Sequence, residues 1–445
     1  MVSKPDLLIR PRGAKCKSDT AIATSAHVLP DLPFVQILDP ATGTGTFIIE
    51  AIYLIYNTLH TKWSSERKTQ PEIDRLWTDY VQKHLLTRIW GFELMMAPYA
   101  IAHMKISLKL TATRCYMSEI TARAQIYLTN TLEEPKDFPL IETVMPALAH
   151  EAEAANRVKR NAPITVVLGN PPYSGHSENT GDWIMDLLRG HDTVTNEETG
   201  NYFEVDGQSL NERNPKWLND DYVKFIRYSQ RLSERVGTGI LSFISNNGYL
   251  DNPTFRGMRQ NLTQTYNRIY LLDLHGSAKK KEKHPDGSKD ENVFDIELGV
   301  GIGVFARTPN TEAVHISHAH LFGLREVPDK SIGNPGKYKW LSNNRIGTTE
   351  WRDVDLRRPF YLFIPQDSIL FEEFQYGWKI TEMMPTNVLG FQTHRDHFAI
   401  DFDKAELKKR IENLRDEELT DVQIRGLYDL KDNRDWQLRR ARSDV

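Results

Sequence analysis

Ile164-Thr-Val-Val-Leu-Gly-Asn-Pro-Pro-Tyr-Ser-Gly175 constrains this chain more than any other stretch. Residues 164–168 run without a charged break and are rich in β-branched side chains, which predicts a buried strand. The strand must stop at Gly169-Asn170-Pro171-Pro172-Tyr173, because two successive prolines exclude both a helix and further ladder pairing. The Asn170 amide and the Pro171 carbonyl are then held at the C-terminal edge of a sheet, where open α/β sheets bind ligands. Such a turn suits methylation of a planar exocyclic amine, whose delocalised lone pair is a poor nucleophile. Two acceptors can take its two N–H bonds and localise that lone pair, and Tyr173 offers a flat face for stacking. No unusual pKa is needed; positioning and stabilisation of the developing cation carry the chemistry.

A partner for that chemistry stands upstream. Phe34-Val-Gln-Ile-Leu38 predicts a strand running into Asp39-Pro-Ala-Thr-Gly-Thr-Gly-Thr-Phe47, then an apolar helix from Phe47 to about Leu59. Strand, glycine turn and helix is the arrangement in which backbone N–H groups face a nucleotide cofactor. Gly43 and Gly45 make only a G-x-G, and no G-x-x-x-x-G-K-[ST] occurs, which disfavours a dinucleotide or an ATP γ-phosphate. Asp39 would repel a phosphate at close range and suits a cationic amino-acid moiety, as in S-adenosylmethionine. Residues 61–87 read as a polar helical insertion. Arg88-Ile-Trp-Gly-Phe92 predicts the second strand, with Glu93 at its tip placed to hold two ribose hydroxyls. A third strand, Ala124-Gln-Ile-Tyr-Leu128, ends near Asn130, positioned for an adenine amine.

The rest of the chain is less explicit. Residues 133–162 read as a helical connection, a polar loop runs from Tyr173 to about residue 200, and Asp220 to Val236 reads as an amphipathic helix. Strands are expected at 239–245, 266–274 and 300–305. Between the last two lies a basic loop with Lys279, Lys280, Lys281 and Lys283, a candidate for phosphate contacts. Beyond residue 310 the βα alternation fades into short strands with exposed-looking Trp340 and Trp351, followed by charged helices. The expected organisation is a poorly defined tail over 1–33, a catalytic domain over 34–309 and a second region over 310–445.

Composition narrows the class. No run approaches the ~18 apolar residues of a membrane span, and the N-terminus lacks an apolar signal core, so a cytoplasmic protein without a membrane partner is expected. The two cysteines, Cys16 and Cys115, suggest free thiols rather than a disulfide framework. The 14 histidines form no HExxH-like set and no cysteine stands in a ligand spacing; no metal is expected. With a formal net charge of −4, a nucleic acid would have to be met by local basic patches.

Asp39-Pro-Ala-Thr-Gly-Thr-Gly-Thr-Phe47, the strand-end Glu93 and Asn170-Pro-Pro-Tyr173, in that order, resemble the adenine-N6 amino-group DNA methyltransferases. Phe294-Asp-Ile-Glu-Leu-Gly-Val-Gly-Ile302 and the lysine loop before it are similar to the modification portion of Type IIG and Type ISP restriction–modification enzymes. The resemblance covers the chain from about residue 34 to its end. It implies a Rossmann-like α/β sheet with helices on both faces that binds S-adenosylmethionine, plus a C-terminal α+β partial target-recognition domain. It implies that Asp39, Ala41, Gly43, Gly45 and Phe47 meet the methionine part of the cofactor, that Glu93 holds the ribose, and that Asn130 lies by the adenine ring. Asn170, Pro171, Pro172 and Tyr173 would receive an adenine flipped from double-stranded DNA, because the N6 amine is paired inside the duplex. The residues after about 310 would read the sequence. Nuclease and translocase modules absent from the chain would be partners, as in a truncated reading frame; no residue before Asp39 matches the upstream cofactor-pocket motif of such enzymes. Two alternatives remain open: a protein-glutamine methyltransferase using the same turn, and a catalytically incomplete fragment that binds DNA or cofactor.

Overall fold

The computed structural model describes residues 34–136, 146–173, 177–212, 215–309, 313–327, 336–386, 393, 395–433 and 436–444. The expected tail over 1–33, with Cys16, lies outside them. The chain divides into two compact units, to Gln366 and from Asp367.

The first unit opens with β1 (Ile37–Asp39), α1 (Thr46–Ser65), α2 (Gln70–Tyr80), β2 (Ile89–Glu93), α3 (Met96–Ala112) and β3 (Gln125–Leu128). Helix α4 (Pro146–Asn161) then leads into β4 (Val166–Gly169). The segment expected as a polar loop contains α5 (Asp182–Leu188) and a hairpin, β5 (Arg189–Asp192) with β6 (Glu197–Asn201). A second small hairpin, β7 (Glu204–Val205) with β8 (Gln208–Ser209), follows. Their strands are short and polar, and Asp192 is fixed by a buried ion pair with Arg231 rather than by an apolar stripe. The unit continues through α6 (Asp221–Val236), β9 (Gly239–Asn246), α7 (Arg256–Thr265), β10 (Arg268–His275), β11 (Val300–Arg307), β12 (His315–His320), α8 (Lys337–Asn343) and β13 (Arg352–Asp353).

Nine of these strands make one sheet in the order β3-β2-β1-β4-β9-β11-β10-β12-β13. From β3 to β9 all are parallel. Strand β11 runs antiparallel between β9 and β10, and β12 pairs parallel with β10. Ile37 stands beside both Ile89 and Val166, so β1 is central and the strand order reverses between β1 and β4. That reversal opens a crevice at the C-terminal strand ends.

Both faces are covered. Successive strand residues point to opposite sides, and Ile37, Ile89 and Ile126 join one core with Ile48, Ile52 and Ile55 of α1 and Ile106 of α3. Their neighbours Leu38, Trp90 and Tyr127 join the other, with Ala155 and Val158 of α4 and Ile226 and Leu232 of α6. Helix α6 departs from the amphipathic expectation: Asp221 to Ser233 are buried without interruption. Its polar side is internal because its charges are paired there, Arg227 with Glu234 and Arg231 with Asp192. Trp340 and Trp351, expected as exposed, are partly buried against a third cluster around Leu272 and Leu274, with the Trp351 ring 5.3 Å from that of Tyr270.

The short strands expected after residue 310 are β12 and β13, and both extend the sheet of the first unit. The described residues of the second unit are helical: α9 (Ser368–Gln375), α10 (Ile380–Met383), α11 (Asp396–Ala399), α12 (Lys404–Arg415), α13 (Asp421–Tyr428) and α14 (Leu438–Ser443). Phe398, Leu414, Ile424, Leu430 and Leu438 form its core. A Thr420/Gln423 capping box starts α13. Among the described residues no helix is long and apolar enough to cross a membrane.

Candidate functional site

The glycine turn after β1 is shaped by backbone conformations that side chains oppose. Gly43 and Gly45 adopt φ of 54° and 83°, in the left-handed region that favours glycine. Gly45 caps α1, and a Cβ there would lie 3.3 Å from that of Ala102 in α3. The turn is tied to β2 by Glu93, whose Oε2 accepts from Gly43 N–H at 2.8 Å and whose Oε1 accepts from Met95 N–H at 2.8 Å.

Asp39 lies beneath the turn, fully buried. Its Oδ1 accepts from Ala41 N–H at 3.2 Å, and Oδ2 has no hydrogen-bond partner among the described residues. A Cβ on Gly169 of β4 would fall 2.8 Å from Oδ1, so the two neighbouring strands meet here with room only for glycine. Burial pushes the Asp39 carboxyl up to about 7; the Ala41 N–H opposes this and the Glu93 charge adds to it.

A stability signature follows from that shift. The folded state binds the Asp39 proton more tightly than the unfolded chain, whose carboxyl titrates near 3.8. Asp39 therefore subtracts nothing below about pH 4, subtracts increasingly as pH rises to about 7, and is constant above. Asp39→Asn is expected to remove this downward slope, read as the denaturant midpoint at each pH. An identical slope in the variant would rule out Asp39 as its source.

Ala41, Gly43, Glu93, Asn130, Asn170 and Pro172 line one cavity of about 690 Å³. The Asn-Pro-Pro turn and the glycine turn thus open at the same sheet edge, from adjacent parallel strands. Asp39 and Gly45 are not in the lining, nor are Pro171 and Tyr173, and Phe47 is exposed on the first turn of α1. Asn130 Oδ1 accepts from Leu132 N–H at 3.0 Å, and its Nδ2 donates to Asn179 Oδ1 at 2.9 Å. The Tyr173 ring is half-buried against the core, and its hydroxyl donates to Asn170 Oδ1 at 2.6 Å with Ile244 O 3.3 Å away. Burial raises the Tyr173 pKa above that of an ordinary phenol.

The four lysines of the basic loop do not join this cavity. Lys279 pairs with Glu297 at 3.7 Å and Lys280 with Asp251 at 3.5 Å, both in solvent. Lys281 lines a separate cleft of about 740 Å³ that it shares with Glu282, Asp290, Glu291, Asp295 and Glu297. Lys283 pairs its backbone with Lys289.

Sequence reasoning missed one wall of the cavity, made by Glu178, Asn179, Asp221 and Phe225. Asp221 Oδ1 accepts from Ser177 Oγ at 2.5 Å and from Asn179 Nδ2 at 2.9 Å. Lys224, one turn further along α6, donates to Ser177 Oγ at 2.7 Å and to Asn179 O at 2.6 Å. The Asn130 turn is held from below by Lys159 of α4, whose Nζ donates to Asn130 O at 2.6 Å; burial pulls its pKa down to about 8. The Asp221/Lys224 spacing was the available signal, and it reads equally as an ordinary solvated helix pair.

Residues 87–279 match the family described as the Eco57I restriction-modification methylase, and residues 382–445 match the Type ISP C-terminal specificity domain. No curated protein matches the sequence. Among solved structures, the fold is similar to that of the enzyme in a DrdV–DNA complex, with a TM-score of 0.55 and 22% identity over 85% of this chain and 34% of that one. It is similar to the ATP-dependent Type ISP restriction-modification enzyme LlaBIII bound to DNA, at a TM-score of 0.58 and 22% identity over 85% of this chain and 24% of that one. A nuclease-deletion mutant of the Type ISP enzyme LlaGI, in complex with a DNA substrate mimic, gives 0.56 and 18% identity over 85% and 33%. The chain spans roughly a quarter to a third of the length of these enzymes, and at such identities the likeness is one of fold. Strand order, cavity and family matches together identify the chain as carrying a restriction-modification methylase domain of the Eco57I family, followed by a Type ISP C-terminal specificity domain.

Proposed function

We propose that the chain transfers a methyl group from S-adenosylmethionine to the N6 amine of an adenine turned out of duplex DNA. The observation that carries this reading is the shared cavity: Asn170 and Pro172 from β4 face Gly43 and Glu93 from β1 and β2 across one crevice. Its volume of about 690 Å³ lies within the range of small-molecule sites.

The residues fit that cofactor. Glu93 presents a carboxylate already oriented by two backbone N–H groups, with lone pairs left for two ribose hydroxyls. The unpartnered, buried Asp39 Oδ2 would supply negative potential beneath the turn when its carboxyl, pushed up to about 7, is ionised, a state that a cationic methionine moiety there would favour. Asn130 and the Asn179/Asp221 wall frame the adenine end. When bound, the cofactor supplies an electrophilic methyl on a sulfonium. The chain's own contribution is on the acceptor side. Asn170 Oδ1 and the Pro171 carbonyl accept the two N–H bonds of the amine, localise its lone pair and stabilise the positive charge that builds on it. In the structure Oδ1 already accepts from the Tyr173 hydroxyl, so the incoming amine displaces that bond. Tyr173 then offers its ring for stacking. A base paired inside a duplex cannot reach this edge, which is why flipping belongs to the reading. The specificity domain over 382–445 supports DNA as the partner and sequence reading by that part of the chain.

Incubation with labelled S-adenosylmethionine and duplex DNA is expected to label adenine N6. Label on a glutamine peptide and none on DNA would replace this reading by protein methylation. Tyr173→Ala is expected to weaken base capture by about 1–3 kcal/mol, read as a raised KM for DNA. Tyr173→Phe keeps the ring and releases Asn170 Oδ1, so its KM should stay near that of the unaltered chain; equal losses in both variants would assign the effect to the hydroxyl.

A further inference from the structure

The strand ends that carry Asn170 also carry a group of side chains with no part in that reading. Strand β10 ends at Asp273-Leu-His275 and β12 ends at His320, which pairs in register with Asp273. One ring nitrogen from each histidine and one Asp273 oxygen lie within 4.8 Å of one another. They border a small cavity of about 180 Å³ together with Asn247, Lys280 and Glu282.

The hydrogen bonds fix which lone pairs are offered. Glu282 Oε1 lies 2.7 Å from His275 Nδ1, and Ser277 N–H donates to its Oε2 at 3.0 Å. With Glu282 as the acceptor in this contact, its other oxygen taken by the Ser277 N–H, His275 carries its proton on Nδ1. His275 Nε2 is then a bare lone pair. It faces His320 Nδ1 at 2.9 Å. Two imidazole nitrogens on one tetrahedral ion with bonds of about 2.05 Å stand roughly 3.3 Å apart, so a shift of a few tenths of an ångström would admit the ion. The proton on His320 Nδ1 moves to its own Nε2, and no charge is lost. Asp273 is oriented by Asn247 Nδ2 and by His275 N–H, both bonding Oδ1 at 2.9 Å, which leaves Oδ2 for a ligand. The carboxylate behind His275 is the arrangement that orients metal-bound imidazoles.

We infer that Asp273, His275 and His320 bind one divalent transition ion, with Glu282 orienting His275 and water completing the coordination. Two imidazoles and a carboxylate suit Zn2+ and its neighbours rather than Mg2+ or Ca2+. The ion would join the ends of β10 and β12 three strand spacings, roughly 14 Å, along the edge from the Asn-Pro-Pro turn.

Titration of the full, chelator-stripped chain with Co2+ tests this. A visible d–d band that saturates at one equivalent and is displaced by Zn2+ is expected. His320→Ala removes an exposed side chain and should abolish the saturable band. His320→Gln, whose amide N–H can still bond His275 Nε2, should abolish it too. Glu282→Gln should weaken binding by about 10–100-fold. His284→Ala, on the adjoining loop, should keep the band. No saturable band in the unaltered chain, a band surviving both His320 variants, or its loss in His284→Ala would overturn the assignment.

Discussion

Replacing Asn170 by alanine is expected to lower the rate of methyl transfer by about 10²–10³-fold while changing S-adenosylmethionine affinity by less than about threefold. The amide oxygen is an acceptor whose value rises as the amine becomes cationic, so its loss falls on the transition state. The side of the cavity proposed to hold the cofactor is built by Ala41, Gly43, Glu93 and Asn130 from other strands, and none of them hydrogen-bonds to Asn170. Tyr173 keeps Ile244 O within 3.3 Å of its hydroxyl, so the truncation leaves no stranded donor in the core. Asn170→Asp keeps an acceptor oxygen and should retain more activity than the alanine variant. Single-turnover transfer of labelled methyl, beside calorimetric titration of the cofactor, separates the two quantities. A variant that loses cofactor binding in proportion to rate would place Asn170 in the cofactor site instead.

The largest expected effect on stability lies elsewhere, at Lys337. Its ammonium is fully buried 2.9 Å from the equally buried Asp290 Oδ1. It also donates to Leu274 O at 2.6 Å and Glu291 O at 2.5 Å, tying the end of β10 to the segment before β11. Lys337→Met leaves the Asp290 charge buried without its cation: Oδ1 keeps only the Gly323 N–H at 2.7 Å, and Oδ2 has no hydrogen-bond partner among the described residues. A loss of about 3–5 kcal/mol is expected, visible as a lowered urea midpoint of the first unit. Lys337→Met combined with Asp290→Leu removes both charges and should recover much of that loss. A single-variant loss below about 1 kcal/mol would mean that water or a rearranged loop reaches Asp290.

How much of this was legible depended on the type of signal. Strands β1 and β2 are buried on both faces and β4 on one with the other partly covered, so they read as unbroken apolar runs, and their ends are marked by residues with little conformational choice: Gly43, Gly45, Pro171 and Pro172. That is why the lining residues Ala41, Gly43, Glu93, Asn130, Asn170 and Pro172 could be named from sequence. Phe47 could not be placed, because the first turn of a helix offers side chains to either side and this one faces outward. Strand β12 falls among the short strands expected after residue 310, but its place in the main sheet was hidden by its own chemistry. His315-Ile-Ser-His-Ala-His320 looks like a polar loop, yet His318 is buried and the strand pairs with β10, some 47 residues upstream in register. Helix α6 misled in the opposite direction, since polar side chains that bond inside a core carry the same letters as those that face water. The Asp273, His275 and His320 group has no linear spacing at all; only the parallel pairing of β10 and β12 assembles it.

The close approach of Gly169 to Asp39 has a consequence for how such a chain could change over time. On the proposed reading the holders of methyl donor and acceptor stand at the ends of neighbouring strands, about 4.8 Å apart, so their alignment is inherited from the backbone and owes nothing to a movable arm. On the proposed reading, a new preference for a different stretch of duplex could arise by altering or exchanging the helical unit that begins at Asp367, with the reacting groups never having to be re-aimed.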